Sequence, residues 1–135
     1  MGYLIDTNVI SEFIKTKQNQ KAVKWFNSIQ WHDLYLSVLT IGEIKKGIYK
    51  VIDNAKRKKL SIWLDQDLMI WFANRILPVN QQVANKWGIL KAKTNRTLPA
   101  IDSLIAATAL HFDLILVTRN VNDFNYTDLE VINPF

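Results

Sequence analysis

The sequence predicts an α/β fold, an α/β/α sandwich with a central, mainly parallel sheet of four to five strands. Three observations carry this. Short apolar runs bounded by polar residues recur along the 135-residue chain. Between them lie stretches with apolar residues three and four apart, the spacing of amphipathic helices. Gly and Pro number only four and three, so little punctuates the chain, and its length suits one domain over residues 1–135. Strands that alternate with helices imply right-handed crossovers, hence parallel pairing with helices on both faces.

The elements follow in order. Tyr3-Leu4-Ile5 reads as a short buried strand, and Thr7 to Ile14 as a helix with Val9, Ile10 and Phe13 on one face. A second helix spans about 20–29, carrying Ala22, Val23, Phe26 and Ile29. Leu34-Tyr35-Leu36 is the second strand. The third helix runs about 40–52, with Ile41, Ile44, Ile48 and Ile52 at helical spacing. A long helix covers about 54–74, its Leu60, Leu64, Leu68 and Phe72 four apart. Ile76-Leu77-Pro78-Val79 is a third strand, and a helix over about 81–93 carries Val83, Trp87 and Leu90. Pro99 precedes a helix that buries Ile101, Leu104, Ile105, Thr108 and Phe112. Leu114-Ile115-Leu116-Val117 is a buried strand and Glu130-Val131-Ile132 an edge strand.

Composition narrows the function. There is no cysteine, which rules out disulfides and thiolate metal sites. The N-terminus lacks the basic and apolar regions of a signal peptide, and no apolar run reaches the ~20 residues that cross a bilayer. A cytoplasmic protein without membrane contact is the expectation. Seventeen Lys and Arg against twelve Asp and Glu give a net charge of +5, which suits a polyanionic partner.

Ligands of open parallel sheets bind at the carboxyl ends of the strands. Asp6 follows the first strand directly, Glu43 lies in the first turn of the helix after the second, Asp102 opens the helix after Pro99, and Asp123 lies in the loop after the fourth strand. Regular winding brings all four to one edge. Converging carboxylates repel and take up protons unless cations neutralise them. Hard divalent ions do this best, so Mg²⁺ is expected, with Mn²⁺ able to substitute. Such ions lower the pKa of bound water and stabilise charge on a phosphodiester.

Each acid also has a structural role open to it. Asp6 suits an N-cap for the helix beginning at Thr7. Thr40-Ile41-Gly42-Glu43 matches a capping box. Asp102 suits a first helical turn, and Asp123 suits a turn in Asn120-Val121-Asn122-Asp123. Glu12 reads as a solvated helix residue, though near enough to Asp6 to line the site. Lys91, Lys93, Arg96 and Arg119 are candidates to meet substrate phosphates. The run Lys56-Arg57-Lys58-Lys59 is ordinarily a solvated face. The five Trp suit core or interface positions, and His32 and His111 show no partner signature.

Four segments resemble one family: Leu4-Ile5-Asp6-Thr7-Asn8-Val9-Ile10-Ser11; Ser37-Val38-Leu39-Thr40-Ile41-Gly42-Glu43-Ile44 with Gly47; Leu98-Pro99-Ala100-Ile101-Asp102-Ser103-Leu104-Ile105-Ala106-Ala107-Thr108-Ala109; and Leu116-Val117-Thr118-Arg119-Asn120-Val121-Asn122-Asp123-Phe124, with Asn133-Pro134 behind it. Together they resemble the PIN-domain ribonucleases of the VapC type, the toxins of bacterial VapBC toxin–antitoxin pairs. The resemblance implies a PIN fold, with Mg²⁺ or Mn²⁺ held by Asp6 and Asp102 and by Glu43 and Asp123 directly or through water. Thr7, Asn8, Thr118 and Asn120 match polar positions that support the acids. It further implies endonucleolytic cleavage of RNA, with tRNA a fitting target, and a VapB-type antitoxin that blocks the site. A toxin homodimer is implied too, with DNA contacted only through the antitoxin. One departure is visible: relatives often carry Arg-Gly shortly before Leu-Pro, whereas here the run is Asn95-Arg96-Thr97-Leu98-Pro99.

Other classes fit less well. A non-catalytic PIN-like binding module would not need all four acids. A dehalogenase-like phosphatase wants a second Asp two residues after the first, where this chain has Asn8. Gly42 and Gly47 have P-loop separation, but Ile48-Tyr49 follow in place of Lys-Ser/Thr.

Overall fold

Five parallel strands form one sheet in the computed structural model, which describes residues 1–95 and 99–135. They are β1 (Tyr3–Ile5), β2 (Leu34–Ser37), β3 (Ile76–Leu77), β4 (Ile115–Val117) and β5 (Val131–Ile132). Their order is β3-β2-β1-β4-β5. The chain therefore winds outward from β1 in one direction, then returns to pair β4 on the other side. Leu4 faces Leu116 and Ile5 faces Val117 across that β1–β4 seam. The carboxyl end of such a seam is where open parallel sheets bind ligands.

The pleat sorts the core into two layers, because successive strand residues point to opposite faces. Ile5, Leu34, Leu36 and Val117 join one cluster with Val9, Ile44, Ile48, Leu64, Leu68 and Phe72. Leu4 and Leu116 join the other, with Ile105, Ala106, Ala109 and Phe124. The first layer is built by α1 (Thr7–Ile10), α2 (Gln20–Asn27), α3 (Val38–Tyr49), α4 (Asn54–Ile62) and α5 (Met69–Trp71). In the second, α6 (Gln81–Lys93) packs on α7 (Ala100–His111), where the Trp87 indole N–H donates to Ser103 Oγ at 2.9 Å. Side-chain caps start most helices: Asn19 for α2, Ser37 for α3, Asp53 for α4 and Asn80 for α6. Asp113, at φ 55°, closes α7 in the left-handed conformation.

Several sequence expectations need correction. The stretch from Thr7 to Ile14 is not one α-helix: α1 ends at Ile10 and a 3₁₀ helix (Ser11–Ile14) continues it. The third helix begins at Val38 and ends at Tyr49, so Ile52 lies beyond it and is 95% exposed. Residues 54–74 are not one regular helix either. A π-helical segment (Trp63–Leu68) separates α4 from α5. The sequence shows why. Apolar residues four apart drift by about 40° per step around an ideal α-helix, and a wider turn takes up that drift. Leu64, Leu68 and Phe72 all end fully buried. Among the described residues, no helix is long and apolar enough to cross a membrane.

The contrast between Ile48 and Ile52 is measurable. Ile48→Ala should lower stability by about 2–5 kcal/mol, and Ile52→Ala should stay within about 0.5 kcal/mol of wild type. Urea denaturation midpoints read both. Equal losses would place the end of α3 wrongly.

Candidate active site

Asp6 stands at the carboxyl end of β1, only 5% exposed. Its backbone N–H is tied to the Val117 carbonyl at 2.9 Å. Its side chain caps α1, accepting from the Thr7 N–H at 2.8 Å through Oδ1. Oδ2 accepts from the Thr118 hydroxyl at 2.8 Å and from Asn8 Nδ2 at 3.2 Å. The capping role and the functional role thus fall on one carboxylate.

Thr118 is the hub of this network. It follows β4 directly, and its N–H donates to the Ile132 carbonyl at 2.9 Å, which fixes it to β5. Its Oγ1 donates to Asp6 and accepts from Asn8 Nδ2 at 3.3 Å and from the Asn120 N–H at 3.1 Å. Asn8 Oδ1 accepts from the Arg119 N–H at 3.0 Å. The start of α1 and the end of β4 are therefore cross-linked at the seam.

Glu43 lies half-buried on α3 and accepts from the Thr7 hydroxyl at 2.7 Å. The capping-box alternative for Glu43 fails, because α3 is capped by Ser37, whose Oγ accepts from the Leu39 N–H. Thr40 is buried, and among the described residues its hydroxyl has no hydrogen-bond partner. Asp102 sits in the first turn of α7 and is half-buried. Asp123 lies in a 3₁₀ turn (Val121–Phe124), not an open loop, and its side chain is exposed.

Electrostatics joins the four. Burial raises the Asp6 carboxyl above its ordinary value, against the hydrogen bonds from Thr118, Thr7 and Asn8, and the charge of Glu43 adds to the rise. Burial also raises Asp102, followed by the charges of Asp6, Glu43 and Asp123. Every donor in this cluster is an oxygen. Among the described residues, no three acid or imidazole side chains are gathered tightly enough to hold a metal ion by themselves.

The proposed phosphate contacts are placed differently. Lys93 lines a hollow of about 560 Å³ between α6 and the segment 125–128, to which none of the four acids contributes. Lys91 is half-buried near the end of α6. Arg96 lies outside the described residues. The Arg119 guanidinium lies 3.9 Å from the Phe135 ring centroid and 3.7 Å from Glu12.

Glu12 corrects the sequence reading. It is 2% exposed rather than solvated. Its carboxylate meets Lys15 at 3.3 Å as well as Arg119. The signal was its spacing, three residues after Val9 and beside Phe13, which puts it on the buried side of the turn. Through Arg119 it anchors the segment that follows β4.

Known proteins share the fold of this chain. The PIN domain family matches residues 3–128. The chain is 36% identical to Toxin FitB of Neisseria gonorrhoeae, covering 98% of this chain and 97% of that protein. It is 29% identical to VapC ribonuclease Y4jK of Sinorhizobium fredii, over 98% and 96% of the two chains. A crystal structure of FitAcB from N. gonorrhoeae superimposes with a TM-score of 0.93 at 34% identity, over 98% and 97% of the chains. A structure of FitAB bound to an IR36 DNA fragment gives 0.90 at 32% identity, over 98% and 94%.

The raised acids carry a pH signature. The folded chain holds these protons more tightly than the unfolded chain. That stabilisation is complete below the ordinary value of 3.8 and is lost as pH rises through the folded-state values. In EDTA at pH 7, Asp102→Asn should therefore melt at a higher temperature than wild type, and the gap should close towards pH 4. A gap that is constant over this range would mean that the Asp102 charge is not strained by its neighbours.

Proposed function

This chain belongs to the PIN domain family, and on that footing we propose that it is the toxin of a type II toxin–antitoxin pair. Its activity is Mg²⁺-dependent endonucleolytic hydrolysis of RNA, with tRNA a fitting substrate. The observation that supports this reading is geometric: Thr7, whose N–H caps the buried Asp6 at the end of β1, also holds Glu43 through its hydroxyl, and Asp102 lies near enough to feel the charges of both and of Asp123. Relatives named as VapC ribonucleases support it.

The residues fit a hard cation. Carboxylate oxygens are its preferred donors, and Mg²⁺ needs only one or two of them, keeping several waters. Asp6 and Asp102 would hold the ion, with Glu43 and Asp123 contributing directly or through water, and Mn²⁺ could substitute. When bound, such an ion supplies Lewis-acid chemistry, activating water and offsetting charge on the phosphate oxygens. The protein's share is positional. Thr118, Asn8 and the Thr7 N–H fix the plane of the Asp6 carboxylate. The Thr7 hydroxyl holds Glu43 beside it. Asn120 steadies Thr118 through its backbone N–H. Asp123, exposed at the edge, is placed to meet incoming solvent or substrate.

The partners follow from the same reading. Relatives have been solved as FitAcB and as FitAB bound to DNA. A VapB-type antitoxin that covers the acids is the proposed inhibitor, with DNA contacted through it. A toxin homodimer and a cytoplasmic location complete the proposal. The net charge of +5 suits RNA once a cation has offset the acids.

End-labelled RNA tests the activity. Cleavage should require Mg²⁺, stop in EDTA and return with Mn²⁺. Asp6→Asn and Asp102→Asn should each lower the rate by about 10²-fold or more while circular dichroism stays unchanged. Wild-type cleavage by either variant, or in EDTA, would reject the assignment. RNA binding without cleavage would instead point to a non-catalytic module.

A further inference from the structure

The acid site does not end at the sheet edge. Thr7 and Glu43 open onto a hollow of about 470 Å³ between α1 with its 3₁₀ extension, α3 and α4. A second hollow, of about 770 Å³, adjoins it. Both are lined by Ile14, Lys15, Lys56 and Leu60, so they form one continuous groove. Its apolar surface includes Ile14, Leu60 and Trp63, its basic lining is Lys15, Lys56 and Lys59, and Glu43 is the acid at the end nearest the sheet.

Helix geometry sorts the basic run at 56–59. Lys56 and Lys59 lie three apart on α4, with Cβ atoms about 5–6 Å from each other, and both line the groove. Arg57 is turned away, donating to the Val51 carbonyl and Asn54. Lys58 is exposed and lines neither hollow. Among the described residues, no carboxylate pairs with the Lys56 or Lys59 ammonium group, whereas Lys15 holds Glu12. A row of unpaired cations along an apolar trough suits a polyanion with planar apolar groups. Single-stranded nucleic acid has that chemistry.

We propose that this groove carries the RNA strand on one side of the scissile phosphate. Lys56 and Lys59 meet successive phosphates, and Trp63 with Leu60 offers a surface to bases. The proposal rests on the ribonuclease reading above, because the strand enters the groove from the acids.

The test is binding of a 5′-fluorescein-labelled 12-nucleotide oligouridylate to the full chain in EDTA, followed by anisotropy across a salt series. K56Q/K59Q should weaken binding roughly tenfold and reduce the slope of log K against log salt by about 1.4. K24Q/K58Q removes the same charge from exposed lysines outside the groove, and should leave slope and affinity near wild type. Equal weakening by both pairs, or by neither, would overturn the proposal. So would unchanged RNA binding by K56Q/K59Q together with lost antitoxin binding, which would give the groove to a protein segment. The two readings fail separately. Mg²⁺-dependent cleavage with RNA binding insensitive to Lys56 and Lys59 rejects the groove alone. Lysine-dependent binding without cleavage supports the groove and rejects the nuclease.

Discussion

A carboxylate that is 5% exposed at the end of a central strand must be compensated, and the way Asp6 is compensated organises the molecule around it. Its acceptor sites are filled from both sides of the β1–β4 seam: by Thr7 and Asn8 at the start of α1, and by Thr118 beyond β4. Hydrogen bonds to a charged group contribute about 1.5–3 kcal/mol each, more than neutral ones. The parallel pairing that puts Ile5 beside Val117 also puts Asp6 beside Thr118. Sheet register and site geometry are one constraint, and a shift of either strand would strand a buried charge.

The remaining acids make that arrangement costly. Asp102 feels Asp6, Glu43 and Asp123, and both Asp6 and Asp102 hold their protons more tightly than an exposed aspartate does. Crowding of this kind stores free energy that a bound cation would release. Glu12 shows the alternative solution. Its buried carboxylate is balanced by Lys15 and Arg119, and Arg119 lies over Phe135. One buried acid is neutralised by the protein's own cations and pins the segment after β4. Among the described residues, no lysine or arginine is ion-paired with the acids at the seam, and a divalent cation is the proposed compensation.

Much of this was legible in the chain. The short apolar runs Tyr3-Leu4-Ile5 and Leu34-Tyr35-Leu36 marked two of the central strands. The position of Asp6 straight after an apolar strand foretold its place at the sheet edge. Other features were hidden for physical reasons. Ile52 continues the spacing of Ile44 and Ile48, but α3 stops at Tyr49 and periodicity alone does not mark a stop. The Thr40-to-Glu43 pattern imitates a capping box because a Ser three residues earlier does the capping. The spacing of Glu12 after Val9 marks its burial, but its pairing with Arg119, more than a hundred residues away, is reported by no local pattern. Likewise, only the packing of α4 against α3 and the hollows beside it separate Lys56 and Lys59 from Lys58.

The carboxylates around the β1–β4 seam are the proposed divalent-cation site. Anomalous diffraction from crystals soaked in Mn²⁺ tests it most directly. If Asp6 and Asp102 hold the ion, an anomalous peak should appear beside their carboxylates. No peak at the seam, or Mn²⁺ held only elsewhere on the protein, would contradict it.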